Sequence, residues 1–237
     1  MKHKTIIGIL LVFMMAGCLK DNEVVSVYNS EPFRKIEFDN SFEVRFHRSD
    51  SFRVVATGNE KFIEEMKYRF AGDSLVVKND ARATWLYPQD NKIVLDVYCD
   101  SLMQIRANET CNLTTVDTLY SANLFLIVGS KLNIANLKVN CEIFGYYNAF
   151  PCGGVMEFSG KTRQLNIWND ALMEVHAAHL TAQFAYIENL SGGSSRIRVE
   201  QGLEYKIRDR GDIFLSGNPP SITVLEDSGE GELILVD

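Results

Sequence analysis

Hydrophobic and polar residues alternate along most of the chain, and this pattern is typical of half-buried β-strands. Side chains two residues apart in a strand point to the same face, so an alternating run has one apolar face. In the first half the apolar positions include Ile36 and Phe38, Val44 and Phe46, Val54 and Ala56, and Ile93, Leu95 and Val97. Residues 32–104 are therefore predicted to form a set of β-hairpins.

One stretch of this region has a different spacing. Phe62, Ile63, Met66 and Phe70 recur at the three- and four-residue intervals of a helix. Asn59 precedes them, and asparagine is a favourable residue for capping the first turn of a helix. The pattern predicts one short helix over residues 59–70.

From residue 105 onward, short apolar strands recur at a nearly constant interval. Successive strands begin at intervals of 19, 22, 19, 19 and 19 residues, at Leu124, Ile143, Leu165, Phe184, Leu203 and Ile222. A period near twenty with a second set of strands between the first is typical of a parallel β-solenoid. We therefore predict an all-β solenoid over residues 105–237, with these six side chains in one inward column. A β-sandwich with a chance repeat remains the alternative.

The side chains between the inward positions are also apolar. If Leu165 points inward, then the predicted outward stripe consists of Phe125, Ile127, Phe144, Trp168 and Ile187. Such a stripe is not normally left in water. Two explanations stay open: the N-terminal strands or the helix cover it, or it binds a glycan or an envelope protein through its aromatic rings. Trp85 and Tyr87, in an apparent loop, are further candidates.

The first eighteen residues have the features of an export signal. Lys2 and Lys4 precede an eleven-residue apolar run over 6–16, which is shorter than the roughly 20 residues of a membrane-spanning helix. The run ends in Met15-Ala16-Gly17-Cys18, which resembles the lipobox of bacterial lipoproteins. We predict a signal peptide over residues 1–17 and a lipid on Cys18.

The following residues, 18–31, are predicted to form a flexible lipidated tether. Within it, Leu19-Lys20-Asp21-Asn22-Glu23 resembles the signal that sends some lipoproteins of Bacteroidetes-type bacteria to the cell surface. A plain polar tether explains these residues equally well. The predicted location is the outer membrane, with the lipid anchor as the membrane contact, on either its surface or its periplasmic face.

Charge narrows the set of partners. The chain carries a net charge of −7, and removal of residues 1–17 takes away two lysines and no acid, which leaves −9. Nucleic acids attract proteins chiefly through positive charge. The composition therefore argues against a nucleic-acid partner.

Four cysteines remain besides Cys18, and an even set in an exported protein permits disulfides. Cys99 and Cys111 are twelve residues apart, and Cys141 and Cys152 are eleven apart, so these local pairings close the shortest loops. Buried free thiols are the alternative. The absence of a Cys-x-x-Cys motif argues against a zinc knuckle or a redox site.

Several segments together resemble a known family. The runs Phe33-Arg-Lys-Ile-Glu-Phe-Asp39, Val54-Val55-Ala-Thr-Gly58 and Ser191-Gly-Gly-Ser-Ser195 are similar to the putative auto-transporter adhesin family with the head GIN domain. The resemblance covers about residues 33–237 and implies a right-handed β-helix on a lipoprotein stem, without catalytic residues. The family's Gly-Ser-Gly turns are replaced at Phe144-Gly145-Tyr146 and Asn169-Asp170-Ala171, which puts the turn geometry in question.

Groups that could carry chemistry are sparse. His176 and His179 lack the further ligands and the helical spacing of a zinc site. The acids near the last strands, Asp209, Asp212 and Glu226 among them, are typical of a solvated acidic end. We therefore predict a non-catalytic envelope lipoprotein, adhesin-like or ligand-binding, without a metal or cofactor. A polysaccharide-active enzyme on a β-helix and a structural envelope protein are the alternatives.

Overall fold

The computed structural model describes residues 23–82, 86, 91–130, 132–148 and 152–236. Cys18, Trp85 and Tyr87 lie outside these residues. The described chain forms sixteen strands and one helix of a single turn. The prediction of an all-β solenoid is confirmed, with about six turns of stacked parallel strands.

The elements of the N-terminal part are short. In chain order they are β1 (Glu23–Asn29), β2 (Lys35–Phe38), β3 (Glu43–Arg48), β4 (Arg53–Asn59), α1 (Glu60–Ile63), β5 (Met66–Ala71), β6 (Ser74–Asn79), β7 (Ile93–Cys99), β8 (Gln104–Ala107) and β9 (Asn112–Thr115).

The C-terminal strands are longer because several continue around the bends of the coil. They are β10 (Leu119–Val128), β11 (Leu132–Asn148), β12 (Gly153–Ser191), β13 (Ser195–Ile207), β14 (Ile213–Ser216), β15 (Ser221–Asp227) and β16 (Leu233–Leu235). In β12, residues 153–168 pair with β11, and residues 175–189 pair with β13 one turn later.

The coil has two long faces, each a stack of parallel strands. The first face contains β6, β2, β8 and β10, followed by the second half of β11, residues 164–168 and 184–189 of β12, the second half of β13, and then β15. The second face contains β7, β3 and β9, followed by the first half of β11, residues 153–158 and 175–177 of β12, the first half of β13, and then β14 and β16. Parallel neighbours lie about 4.8 Å apart along the axis.

The N-terminal strands continue this stack. Strand β2 pairs with β8 and β3 pairs with β9, both in parallel, so the coil begins before residue 105. Strands β1 and β4 extend the second face in antiparallel pairing, and β5 and β6 form a hairpin that ends the first face. Residues 23–29, predicted as flexible tether, instead form β1. The reason is their valine-rich composition, which favours a strand at a sheet edge.

The predicted helix over residues 59–70 is too long. Only Glu60–Ile63 is helical, with the Asn59 side chain accepting a hydrogen bond from the Lys61 backbone nitrogen at 3.1 Å. Residues from Met66 onward pair with β6 instead. Tyr68, in that strand, stacks on Tyr28 of β1 with ring centres 4.3 Å apart. Sheet pairing and this ring contact thus outweigh the helical spacing.

The predicted inward column is half right. Leu124, Leu165 and Leu203 are buried, but Ile143 is only half-buried and Phe184 is exposed. Leu124 pairs with Phe144, which pairs with Leu165, and Ala185 pairs with Leu203. The predicted inward positions at Ile143 and Phe184 are therefore one residue too early. A shift of one residue turns the side chains of a strand to the opposite face of the sheet. Ile222 continues the column but is exposed in the last turn.

Three asparagines form a polar ladder inside one bend. Asn148 donates to the Asp170 backbone oxygen at 2.6 Å, Asn169 to the Asn189 side chain at 3.2 Å, and Asn189 to the Gly211 backbone oxygen at 2.6 Å. All three residues are buried. The amides of Asn148 and Asn189 thus pair backbone oxygens that the bend would otherwise leave unsatisfied.

The four cysteines are free and buried in the structure, which agrees with the alternative of buried thiols and not with disulfides. Cys99 lies opposite Arg48, whereas Cys111 lies beside Phe42, at the other end of β3. That separation, about 20 Å for the six residue steps from Phe42 to Arg48, exceeds the roughly 7 Å limit between bridged Cα atoms. Cys152 precedes Gly153, which pairs with Leu132. Cys141 lies nine residues after Leu132, so Cys141 and Cys152 are about half a turn of the coil apart.

Burial also predicts low chemical reactivity for these thiols. Desolvation raises the pKa of Cys99 and of Cys111 to about 12 and that of Cys141 to about 11. A thiol with such a pKa stays protonated near neutral pH and is a poor nucleophile. The cysteines thus contribute to the core as small apolar side chains.

Candidate functional site

An open cleft of about 520 Å³ lies on the outer surface of the first face. Its lining is almost entirely apolar and aromatic, and comprises Phe125, Ile127, Gly145, Tyr146, Tyr147, Asn166, Ile167, Trp168 and Tyr186. We call it the aromatic cleft. Ligand sites are commonly apolar concavities with a few placed polar groups.

The parallel register brings these residues together from four turns. Ile127 pairs with Tyr147, and Tyr147 pairs with Trp168, so the three side chains occupy the same outward position on successive turns. Two residues earlier, Phe125, Gly145 and Asn166 form the neighbouring outward row. Residues distant in sequence therefore form one continuous wall.

Gly145 creates the depth of the cleft. The ring of Phe125 lies directly over it, and a Cβ atom at residue 145 would overlap the ring carbons Cδ1 and Cε1. Without a side chain at this position, Phe125 can lie against the backbone of the next turn. Phe125 nevertheless remains 41% exposed.

Tyr147 and Trp168 form the most accessible part of the lining. Their ring centres are 5.9 Å apart, and the ring planes are inclined by 80°. This edge-to-face arrangement is a favoured aromatic geometry. Tyr147 is 42% exposed and Trp168 is 45% exposed, so the two rings offer an L-shaped apolar surface to a ligand.

A network of charged groups borders the cleft at Tyr186. The Tyr186 hydroxyl donates to Glu188 Oε2 at 2.7 Å, and Arg208 Nη1 donates to Glu188 Oε1 at 2.7 Å. Lys206 Nζ lies 3.4 Å from Glu188 Oε2, and Arg208 also contacts Glu226 at 2.8 Å. The hydrogen bond from Arg208 lowers the pKa of Glu226. Two cations and two carboxylates thus balance each other beside the apolar wall.

The sequence of the chain matches a known protein family over most of its length. The sequence profile of the putative auto-transporter adhesin family with the head GIN domain matches residues 32–219. The chain belongs to this family. No curated protein matches it.

Solved structures share the architecture of this head GIN domain. A putative adhesin from Bacteroides fragilis is 13% identical and superposes with a TM-score of 0.82, covering 91% of this chain and 97% of that one. A putative adhesin from Parabacteroides merdae is 14% identical, with a TM-score of 0.58 and coverage of 92% and 98%. A putative lipid binding protein from Parabacteroides distasonis is 12% identical, with the same TM-score and coverage. At these identities the likeness shows a shared fold.

The predicted binding stripe is partly wrong in this head GIN domain. Phe125, Ile127 and Trp168 do line the cleft, as predicted. Phe144 and Ile187 are fully buried and belong to the core. The one-residue offset at the second turn explains Phe144, and the same offset at the fourth turn explains Ile187. Tyr147 and Tyr186 were missed for the same reason, although counting back 21 residues from Trp168 would have found Tyr147.

Of the two explanations for the stripe, coverage by the N-terminal region does not hold for the described residues. No residue of β1–β7 or of α1 lines the aromatic cleft. Those elements lengthen the two faces instead of packing over one of them. The aromatic cleft is therefore open in the described part of the chain.

The other predicted chemical groups lie elsewhere. His176 and His179 line a separate cleft with Arg196 and Glu157 on a different part of the coil. Asp212 accepts a hydrogen bond from the Glu232 backbone nitrogen at 3.0 Å, while Glu226 pairs with Arg208. Among the residues that the structure describes, no group of three potential metal ligands lies together. Nor does the described chain contain a helix long and apolar enough to cross a bilayer.

Proposed function

We propose that this head GIN domain is a non-catalytic binding module of the cell envelope, and that its aromatic cleft binds the sugar rings of a glycan. The exposed edge-to-face pair of Tyr147 and Trp168 carries this proposal. Rigid aromatic rings give large contact area at low entropic cost, and the apolar faces of sugar rings suit them. Asn166 and the Tyr186 hydroxyl supply polar groups at the margin of the cleft.

The lining of the cleft supports binding over hydrolysis. A glycosidase needs two carboxyl groups that flank the scissile bond. None of the nine lining residues is an acid. The neighbouring Glu188 is buried and already accepts hydrogen bonds from Tyr186 and Arg208. These contacts leave it poorly placed to donate or accept a proton in the cleft.

Replacement of Trp168 by alanine tests the proposed glycan site. We expect about 30-fold weaker binding to a glycan identified on an array, because an aromatic anchor commonly contributes about 2 kcal/mol. Calorimetric titration of wild type and variant measures the change. Tyr120→Ala is the matched control, since Tyr120 is an aromatic residue of similar exposure that does not line the cleft.

Three outcomes would contradict this assignment. The first is an array of intact protein without any glycan hit. The second is equal affinity of wild type and Trp168→Ala for the glycan. The third is Trp168-dependent binding of a fatty acid in place of glycans, which would favour lipid binding, as in the name of the putative lipid binding protein from Parabacteroides distasonis.

We further propose that Cys18 carries the lipid that holds the module at the outer membrane. The support is the Met15-Ala16-Gly17-Cys18 run after a short apolar segment. In cells fed a tagged fatty acid, Cys18→Ala should abolish labelling and release the protein from the membrane fraction, because the acyl chains supply the anchor. Leu19→Ala is the control and should keep the label. Retained label in Cys18→Ala would overturn the proposal.

A further inference from the structure

A second cleft lies beside the aromatic cleft on the same face of the coil. It measures about 300 Å³ and includes Gln164, Phe184, Gln201, Glu204, Ser221 and Thr223 in its lining. Tyr186 lines both clefts, so the two clefts adjoin at this ring. The groove that they form crosses the strands obliquely, because the second cleft lies nearer the start of each strand.

The second cleft repeats the construction of the first. Phe184 pairs with Gly202, and its ring lies over that glycine, 3.1 Å from where a Cβ atom would stand. Phe125 lies over Gly145 in the same way. Phe184 is also 42% exposed, close to the value for Phe125. The two phenylalanines are three turns apart, which corresponds to about 14 Å along the axis.

The two clefts differ in polarity, and this difference restricts the ligand. The aromatic cleft offers rings, whereas the second offers amides and hydroxyls from Gln164, Gln201, Ser221 and Thr223. An acyl chain would offer no hydrogen-bond partner to the Gln201 amide or to the Ser221 and Thr223 hydroxyls, at a cost in free energy. An extended peptide would find few main-chain partners, because the strand backbones already bond to neighbouring turns.

Charge restricts the ligand further. Glu204 places a carboxylate in the second cleft, and the cations Lys206 and Arg208 are paired with Glu188 and Glu226. Anionic sugars would meet Glu204 without an unpaired cation among these residues. The groove therefore suits a ligand with apolar ring faces, many hydroxyls and no net charge.

We propose that the two clefts are subsites of one groove, and that the ligand is a linear, uncharged oligosaccharide that crosses the strands obliquely. This inference rests on the proposed glycan-binding function. It adds that a single terminal sugar is insufficient and that the chain must reach from Trp168 to Phe184.

A length series of neutral linear oligosaccharides tests the groove. Cello-, manno- and xylo-oligosaccharides from disaccharide to octasaccharide are titrated against the intact protein. We expect affinity to rise at least about tenfold with length, equivalent to about 1.4 kcal/mol. Phe184→Ala should remove that gain with length, whereas Trp168→Ala should weaken the binding of every oligosaccharide in the series. Tyr120→Ala should change neither.

The outcomes separate this inference from the proposed function. One outcome is binding that depends on Trp168 but is independent of oligosaccharide length, of Phe184 or of both. That result would overturn the proposed two-subsite groove and leave the aromatic cleft as a glycan site. Stronger binding of uronic acid oligomers than of neutral oligosaccharides would overturn the proposal that the ligand is uncharged. No binding of any glycan would overturn both proposals. If Phe184→Ala does not fold, Thr223→Arg fills the second cleft and should likewise abolish the length dependence.

Discussion

Gly160→Ala is expected to lower the free energy of unfolding by about 2–5 kcal/mol. Gly160 has a φ of +108°, a conformation that residues with a side chain rarely adopt. It pairs with Val139 on the preceding turn, and an added Cβ atom would overlap the Val139 carbonyl oxygen. Backbone strain costs about 1–3 kcal/mol and a steric overlap costs a similar amount. Both penalties act at this one position.

Urea unfolding followed by circular dichroism measures the effect of Gly160→Ala. Gly129→Ala is the matched control, because a Cβ atom there would make ordinary contact, with 3.7 Å to the Ala107 carbonyl oxygen. That control should be neutral or stabilising by up to about 1 kcal/mol. An unchanged unfolding midpoint for Gly160→Ala would show that these two turns do not stack in this register.

The period of the coil could be predicted from the sequence because stacking demands it. Parallel turns of nearly equal length place apolar residues in the same position once per turn, so an interval near twenty follows from the stack itself. The exact inward residue could not be predicted. The true steps of the column are 20 from Leu124 to Phe144 and 21 from Phe144 to Leu165. The bends between strands differ in length, so the inward position shifts by one residue relative to a constant repeat.

That offset also limited the prediction of the candidate site. Phe125 and Trp168 lie on turns where the alignment was right, and both line the aromatic cleft. At the intervening turn, Phe144-Gly145-Tyr146-Tyr147 contains three aromatic residues, so alternation alone does not say which ring points outward. The role of Gly145 depends on its partner Phe125, twenty residues away, and pairing of that kind is a property of the folded coil.

The N-terminal half shows a different limit. Local spacing favoured a helix through Phe70, and composition favoured a flexible tether before residue 32. Both segments pair into sheets in the structure, as β5 and β1. Short helices gain most of their stability from tertiary packing, and strand propensity depends strongly on neighbours. The partners that decided the outcome, β6 and β4, are separate segments of the chain.

Glu188→Ala is expected to lower the free energy of unfolding by about 3 kcal/mol. Glu188 is only 2% exposed and accepts hydrogen bonds from Tyr186 and Arg208, with Lys206 at 3.4 Å. Removal of one partner from a buried ion pair costs about 3–5 kcal/mol, since the remaining charge is left uncompensated. The lower end applies here because Arg208 keeps its contact with Glu226 and both cations reach solvent.

Glu142→Ala is the control for this experiment, because it removes a carboxylate from an ion pair at the surface. The Glu142 side chain is 69% exposed and contacts Arg163 at 3.3 Å. Exposed pairs of this kind contribute little, so its unfolding free energy should stay within about 0.5 kcal/mol of wild type. Equal effects of the two substitutions would mean that Glu188 is solvated in solution. Tyr186, which borders both clefts, would then lack the fixed partner that holds its ring in the groove.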